Sequence, residues 1–139
     1  MPAFPRELSP DDCRSLIAER CVGRVAFQSA SGQQHIVPVN FQLDGDSVVF
    51  RTSPASELGR LAPGAEAAFE VDDLDFENRS GWSVVAKGRI EVIPDNFETA
   101  AIRFFGKDPT PWAAGVRRLY LRLTWHGLTG RELSVPWWF

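Results

Sequence analysis

The sequence contains few of the residues that bind metals or form disulfides. Its 139 residues include two cysteines, Cys13 and Cys21, and two histidines, His35 and His126, without a spacing typical of a metal site. Both cysteines fall in one predicted helix, where eight residues separate their Cα atoms by about 12 Å. That distance is too long for a disulfide. We therefore expect neither a metal centre nor a disulfide.

Long apolar runs and a basic charge excess are also missing. No segment approaches the ~18 consecutive apolar residues of a membrane-spanning helix, and the first ten residues lack the apolar core of a signal peptide. The net charge of -3 is unlike that of proteins that bind nucleic acids or acidic membranes. The sequence predicts a single cytoplasmic domain over residues 1–139, with no membrane or nucleic-acid partner.

Short catalytic motifs are absent as well. The sequence has no G-x-S-x-G elbow, no P-loop and no G-x-G-x-x-G after a predicted strand. Asp72, Asp73 and Asp75 form either a paired-carboxylate site or a solvated strand end, and the second interpretation is favoured. His35 lies on the apolar face of its predicted strand, where a hydrogen-bonded core histidine is favoured over a general base. No catalytic residue is assigned.

What the sequence does contain is a series of alternating apolar patterns. Ser9 and Pro10 predict the start of a helix that ends at Gly23. Alternation with a period of two predicts six strands, over residues 23–29, 34–43, 46–53, 65–71, 82–92 and 117–126. Asp44-Gly45 is a tight-turn signal that joins the second and third strands into a hairpin.

A second helix is predicted to start at Pro94. Apolar residues recur there at i, i+3, i+4, i+7 and i+8, as Phe97, Ala100, Ala101, Phe104 and Phe105. Six strands joined by hairpin signals indicate a mainly β fold. We predict a six-stranded antiparallel barrel with a few short flanking helices, rather than a doubly wound sheet.

One short stretch indicates an anion site. The strand over 46–53 ends in Arg51 and Thr52, and the residues after it include Ser53 and Ser56 before a predicted helix through Leu61. A helix start offers free N–H groups, Arg51 adds a bidentate donor, and the hydroxyls add further hydrogen bonds. Alone this pattern is unspecific, since a strand, a turn and a capped helix are common.

The order of several segments is more specific. The chain contains, in this order, LSPDDCRSLIAERCVGRVAF, HIVPVNFQLDGDSVVFRT, AAFEVDDLD, SGWSVVAKGRIEVI and LTGREL. This set resembles the pyridoxamine 5'-phosphate oxidase-like family of flavin-binding split β-barrels. The subgroup that includes nitroimidazole-resistance proteins is the most similar. The resemblance extends over residues 8 to 133.

The resemblance implies a homodimer with FMN, or a deazaflavin in some relatives, in a cleft between the subunits. It also implies the residues that contact this cofactor. Val37, Pro38, Val39 and Asn40 would run under the flavin ring. Arg51, Thr52 and Ser56, with the chain at Ser53, would hold the phosphate, and Trp82 and Ser83 would close the far side of the ring. Trp82 fits core packing equally well, and Trp112 would either reach the partner's cleft or remain in its loop.

The sequence departs from the family pattern at the phosphate. Relatives read T-x-x-G-S-K-L, whereas this chain has Ala55 at the glycine and Glu57 at the lysine. A carboxylate beside a phosphate repels it. Either Glu57 turns to solvent while Arg51 or Arg60 binds the phosphate, or FMN binds weakly and another cofactor takes its place.

Two functions remain open at this stage. The first is a flavin-dependent oxidoreductase that acts on a small molecule, with the cofactor supplying the redox chemistry. The second is a non-enzymatic binding or sensing protein on the same dimeric barrel, with weak or altered cofactor binding. Pyridoxamine phosphate is disfavoured as the substrate, because the true oxidases of the family it resembles are longer and carry extra basic residues for a second phosphate, which are not found in this sequence.

Overall fold

A computed structural model describes residues 5–94, 101–102 and 108–133. The elements with described bounds are one helix and seven strands, and residues 101–102 are also helical. The elements, in chain order, are β1 (Arg6–Glu7), α1 (Pro10–Ala18), β2 (Val22–Gln28), β3 (Gln34–Asp44), β4 (Ser47–Thr52), β5 (Ala65–Asp75), β6 (Ser80–Ile93) and β7 (Leu119–Leu133). The predicted second helix falls mostly outside the described residues. Of its predicted apolar face only Ala101 is described, and that residue is exposed, whereas the adjacent Ile102 is buried.

The six long strands close into an antiparallel barrel. The sheet order is β1-β7-β4-β3-β2-β5-β6, and β6 also pairs with β7, which closes the ring formed by β2 to β7. This confirms the predicted six-stranded barrel. The two-residue strand β1, which was not predicted, pairs with the far end of β7 through Arg6 and Glu132.

The closure between β6 and β7 depends on one close approach and one bulge. A Cβ atom at Gly88 would lie 2.0 Å from the carbonyl oxygen of Thr124, so only glycine fits there. On β7 the pairing skips His126, because Lys87 pairs with Gly127 and Gly88 with Trp125. The bulge lets β7 continue to Leu133 as one strand, whereas the sequence predicted an end near residue 126.

The core is the inside of the barrel, covered at one side by α1. The helix begins as predicted, with the Ser9 hydroxyl accepting a hydrogen bond from the N–H of Asp12 at 3.1 Å. It ends at Ala18, so Cys21 is exposed rather than on a buried helical face. Inside the barrel, Phe41 and Phe69 pack edge to face, with their ring centroids 4.8 Å apart. No helix in the described part of the chain is long and apolar enough to cross a membrane.

Candidate functional site

A cavity of about 370 Å³ opens beside β3 and the end of β4. This volume lies within the range of small-molecule binding sites. The lining contains the predicted site residues Val37, Pro38, Val39, Asn40, Arg51, Thr52 and Ser56, together with Phe27, His35, Glu57, Leu58, Pro111, Ala113 and Arg117. The structure therefore brings the predicted ring-binding strand and the predicted phosphate-binding residues into one cavity.

The β3–β4 hairpin places these two groups side by side. Phe41 pairs with Phe50 across the hairpin, so Asn40 and Arg51, each one residue further from the turn, are cross-strand neighbours. The predicted hairpin signal at Asp44-Gly45 is confirmed, since the turn lies between β3 and β4. The proximity of Asn40 and Arg51 is thus a direct consequence of the register of this hairpin.

Arg51 is half-buried and is held by three contacts. Its Nε donates to the carbonyl oxygen of Arg117 at 3.0 Å, and its Nη1 lies 3.5 Å from Oδ1 of Asp108. Its guanidinium carbon lies 4.8 Å from the ring centroid of Tyr120, in the geometry of a cation–π contact. These contacts use two of the five guanidinium N–H groups. The others have no protein partner among the described residues, so they remain available to a ligand.

A loop over residues 108–118 packs against this corner of the barrel. The N–H of Trp112 donates to Oδ1 of Asn40 at 2.8 Å, and Arg117 Nη1 donates to the carbonyl oxygens of Ala113 and Ala114. Asn40 and Arg51 therefore have structural roles as anchors of the loop. The Trp112 side chain is 75% exposed and does not line the cavity.

The segment after β4 is not the predicted helix. Residues 54–60 form turns. The Ser56 hydroxyl donates to the Ser53 carbonyl oxygen at 2.7 Å and accepts from the Gly59 N–H at 3.0 Å. A Cβ atom at Gly59 would lie 2.2 Å from the Ser53 carbonyl oxygen, so the turn requires glycine there. The helix prediction is wrong because the serine hydroxyl competes for the backbone groups.

The hydroxyls near Arg51 are already hydrogen-bonded within the chain. Ser56 donates to a carbonyl, so Thr52 is the donor in the 2.8 Å contact between their oxygens. Ser53 does not line the cavity, and its hydroxyl accepts from the N–H of Ala55 at 3.2 Å. The polar donors left for an anion are chiefly the guanidinium groups of Arg51 and Arg117.

Glu57 lines the cavity, although its side chain is 53% exposed. Its nearest cation is Arg60, at 3.9 Å, and Arg60 also donates to the Ala55 carbonyl oxygen rather than lining the cavity. The cavity lining therefore carries two guanidinium groups, Arg51 and Arg117, and one carboxylate. The sequence did not indicate Arg117, because its position depends on how the loop over 108–118 folds back.

The predicted residues Trp82 and Ser83 lie elsewhere on the chain. Trp82 packs against the barrel core, and Ser83 lines a second cavity, of about 450 Å³, together with Lys87, Thr129 and Arg131. Within one chain these residues do not join the cavity beside Arg51. Their predicted contact with a flavin would need a second copy of the chain.

Phe27 is a cavity residue that the sequence analysis missed, and His35 is a cavity residue that the sequence analysis assigned to the core. They are cross-strand neighbours on β2 and β3, and their rings stack with centroids 5.1 Å apart and an angle of 12°. His35 Nε2 is buried and has no hydrogen-bond partner in the described part of the chain. The predicted hydrogen-bonded core histidine is therefore wrong for this nitrogen.

The carboxylates near the end of β5 form surface ion pairs. Asp73 lies 3.3 Å from Arg20, and Arg24 lies 3.3 Å from both Glu70 and Asp72. The pKa of Glu70 is raised to about 7, chiefly by burial and then by the hydrogen bond and charge of Asp72, while Arg24 opposes the shift.

Asp75 belongs to a turn rather than to a carboxylate pair, because it accepts hydrogen bonds from the N–H groups of Glu77 and Asn78. These contacts agree with the favoured interpretation of a solvated strand end. Across residues 5–94, 101–102 and 108–133, no group of histidine, cysteine and carboxylate side chains is arranged to hold a metal ion.

Comparison with known proteins identifies the family. The pyridoxamine 5'-phosphate oxidase family model matches residues 9–132. The uncharacterised protein Rv0080 of Mycobacterium tuberculosis is 33% identical over 99 residues, which is 68% of this chain but only 64% of that protein. Among solved structures, the FAD binding protein from Mycobacterium smegmatis is 26% identical with a TM-score of 0.70, covering 93% of this chain and 98% of the other.

A second solved structure supports the same fold. The FAD-binding protein mll6688 from Mesorhizobium loti is 23% identical with a TM-score of 0.76, and the match covers 94% of this chain and 99% of that one. The family that the ordered sequence segments predicted is confirmed. The chain belongs to the pyridoxamine 5'-phosphate oxidase family.

Proposed function

We propose that the cavity beside β3 and β4 binds a flavin and that the protein is a flavin-dependent oxidoreductase acting on a small molecule. The observation that carries the proposal is the lining itself. One wall is the strand Val37–Asn40, and the corner beside it holds two guanidinium groups, Arg51 and Arg117. A flat apolar wall next to a cationic corner suits a ligand with an aromatic ring and a phosphate.

The residues present fit such a group in most respects. Arg51 and Arg117 offer N–H donors and positive charge to a phosphate, and β3 offers the apolar residues Val37, Pro38 and Val39 to a ring. A bound flavin supplies reversible hydride or electron transfer, while the chain supplies binding and orientation. Glu57 is the one lining residue that opposes an anion, and its exposure to solvent weakens that repulsion.

We further propose that two copies of the chain complete the site. Trp82 and Ser83 lie on β6, away from the cavity, so they contact the ligand only if a second copy brings them there. Large apolar side chains near the cavity support this view, because Ile36 is 74% exposed and Trp112 is 75% exposed. In a homodimer these side chains would be covered.

The flavin we propose is FMN. The residues that line the cavity form one cationic corner, which matches one phosphate group, and FMN carries one phosphate. The two solved relatives described above are FAD-binding proteins, so FAD is the first alternative, and a deazaflavin is the second.

The absorbance spectrum of the protein as isolated tests this proposal. We expect flavin bands in the visible range, and we expect mass spectrometry of the small molecules released on denaturation to find FMN. Protein without bound cofactor should quench FMN fluorescence on titration. Colourless protein that leaves the fluorescence of FMN, FAD and a deazaflavin unchanged at tens of micromolar would contradict the proposal.

A second candidate function rests on Glu57. A carboxylate in the cavity lining weakens the attraction of the corner for phosphate, which fits a binding or sensing protein that holds its cofactor loosely. Redox turnover separates the two functions. If neither a nicotinamide cofactor nor a dithionite-reduced mediator reduces the bound flavin faster than it reduces free flavin, the result favours the binding protein.

A further inference from the structure

A second cavity lies on the outer face of the barrel, where β6 pairs with β7. Its volume is about 450 Å³, and among the described residues it shares none of its lining with the cavity beside Arg51. Val84 and Ala86 of β6 are buried in the core, so the residues that alternate with them point outward. The lining of the second cavity consists of Glu7, Leu8, Ser83, Val85, Lys87, Leu128, Thr129, Gly130 and Arg131.

The register of β6 and β7 gathers the polar side chains of this lining on one face. Ser83 pairs with Arg131, and Val85 pairs with Thr129, so these four side chains form two neighbouring rows. Lys87 lies two residues further along β6 and points to the same side. Lys87, Thr129 and Arg131 are exposed and Ser83 is half-buried. A ligand in the cavity can therefore reach all of them.

The two cations of the second cavity have no ion-pair partner. Neither Lys87 nor Arg131 lies within ion-pair distance of a carboxylate in the part of the chain that the structure describes. Arg89, which follows Lys87 by two residues on the same face, pairs with Glu66 at 3.1 Å instead. Glu7 lines the cavity and faces Arg131 across β1 and β7. The lining thus carries two positive charges and one negative charge.

The hydroxyls of the second cavity are also unused. Ser83 and Thr129 form no side-chain hydrogen bond with the described residues. Asp72 pairs with Ser83 across β5 and β6, but it lies outside the lining, and its carboxylate is 3.3 Å from Arg24. The donors left in the cavity are an ammonium, a guanidinium and two hydroxyls. Such a set binds carboxylate and phosphate groups.

The spacing of the two cations indicates the size of the ligand. Lys87 pairs with Gly127, and Arg131 is four residues further along β7, a separation of about 13 Å along the strand. Val85 and Thr129 form the surface between them. A ligand that contacts both cations is therefore a small organic molecule rather than a single inorganic ion, and the cavity volume suits such a molecule.

We propose that the second cavity binds a small organic anion through Lys87 and Arg131, and that the substrate of this protein carries a carboxylate or a phosphate group. The inference rests on the proposed function, in which a second copy of the chain brings Ser83 to the flavin. Lys87 and Arg131 line the same cavity as Ser83, so they would arrive with it. The two cations would then orient the anionic substrate beside the flavin ring.

Calorimetric titration with citrate and with inorganic phosphate, at constant ionic strength, tests the site directly. We expect citrate to bind more tightly than phosphate, because only citrate can reach both cations. Lys87→Met and Arg131→Met should each weaken citrate binding by about fivefold, the size expected for an exposed charged contact. Arg89→Met is the matched control, since Arg89 shares the strand and the face but lies outside the lining.

Two results of this titration would overturn the inference. One is that neither anion binds at about 10 mM. The other is that R89M weakens citrate binding as much as R131M does, which would indicate a general effect of surface charge. Glu7→Gln gives an independent check, because it removes the one carboxylate of the lining. We expect it to tighten citrate binding by about twofold, and weaker binding would contradict the proposed site.

The visible spectrum of the flavin-bound protein tests whether the anion lies beside the flavin. We expect citrate to shift the flavin absorbance of the unsubstituted protein but not that of R131M. Citrate that binds through Arg131 without any spectral change would overturn the assignment of the substrate. Flavin binding without citrate binding would overturn this inference alone, whereas citrate binding by a protein that takes up no flavin would overturn the proposed function.

Discussion

Two arginines on the barrel differ in what surrounds them. Arg24 lies on the outer face of β2, with Glu70 and Asp72 each 3.3 Å from its Nη1. Arg51 lines the cavity, where the only carboxylate within ion-pair distance in the described part of the chain is Asp108, at 3.5 Å. Arg51 is also the more buried of the two, with 22% of its side chain exposed against 44% for Arg24.

The difference separates an arginine that completes an ion pair from one that can bind a ligand. At Arg24 the two carboxylates more than balance the positive charge. At Arg51 most contacts are neutral, namely a carbonyl oxygen and the face of Tyr120, and a second guanidinium lines the same cavity. Among the described residues, Arg51 thus has one carboxylate within ion-pair distance where Arg24 has two, and its unused N–H groups can donate to an anion.

The largest effect on FMN affinity is expected from removing the positive charge of Arg51, with the same substitution at Arg24 as the comparison. Arg51→Met should weaken FMN binding by about 10- to 100-fold, because a hydrogen bond to a charged group contributes roughly 1.5–3 kcal/mol. Arg24→Met should leave the affinity within about twofold. Fluorescence titration of both variants makes the comparison, and equal losses for the two would contradict it.

Asp108→Asn tests whether Arg51 affects FMN affinity by anchoring the loop over residues 108–118 rather than by binding the phosphate. Asp108 contacts both Arg51 and the Tyr120 hydroxyl, at 3.5 and 3.0 Å. The asparagine retains the size of the side chain and removes its negative charge, so FMN should bind equally well or more tightly. If D108N weakens FMN binding as much as R51M does, Arg51 serves to anchor the loop rather than to bind phosphate.

A smaller gain in affinity is expected from Glu57→Lys. The substitution replaces a repulsive charge in the cavity lining with an attractive one, and solvent exposure limits the effect to about tenfold in the Kd for FMN. Glu66→Lys is the control, because Glu66 is similarly exposed but lies outside the cavity lining. Equal effects of the two substitutions would place the flavin away from Glu57.

The smallest effect concerns stability near Arg24. The pKa of Glu70 is raised to about 7, chiefly by burial, so the folded protein binds this proton more tightly than the unfolded chain. The stability from that proton is complete below about pH 4.5, the usual range of glutamate, and is lost as the pH rises through 7.

Glu70→Gln should remove this pH dependence. We expect the difference in Tm between E70Q and the unsubstituted protein to move in favour of E70Q between pH 5 and pH 8. FMN affinity should not change, since Glu70 lies outside the cavity lining. A Tm difference that is constant over this pH range would contradict the raised pKa.

Local sequence patterns predicted most of the barrel. Alternation gave the strands, and Asp44-Gly45 gave the hairpin that places Asn40 beside Arg51. The prediction of a helix after Thr52 was wrong, because the Ser56 hydroxyl donates to the Ser53 carbonyl oxygen and accepts from the Gly59 N–H. Helical spacing of Leu58 and Leu61 carries no information about such side-chain competition.

The candidate site was predictable only where one hairpin builds it. Val37–Asn40 and Arg51 are close because of strand register, which a sequence pattern determines. Arg117 reaches the cavity through a folded-back loop, and Phe27 and His35 meet through the pairing of β2 with β3. The contact of Trp82 and Ser83 with a flavin stays a prediction, because it depends on a second copy of the chain.

A crystal structure of the protein with FMN tests the central claim most directly. We predict the flavin ring against Val37–Asn40, the phosphate within hydrogen-bond distance of Arg51 or Arg117, and a second copy of the chain bringing Trp82 to the far side of the ring. FMN bound away from this cavity would contradict the account, as would a monomer in which Arg51 stays bonded only to Asp108 and the Arg117 carbonyl.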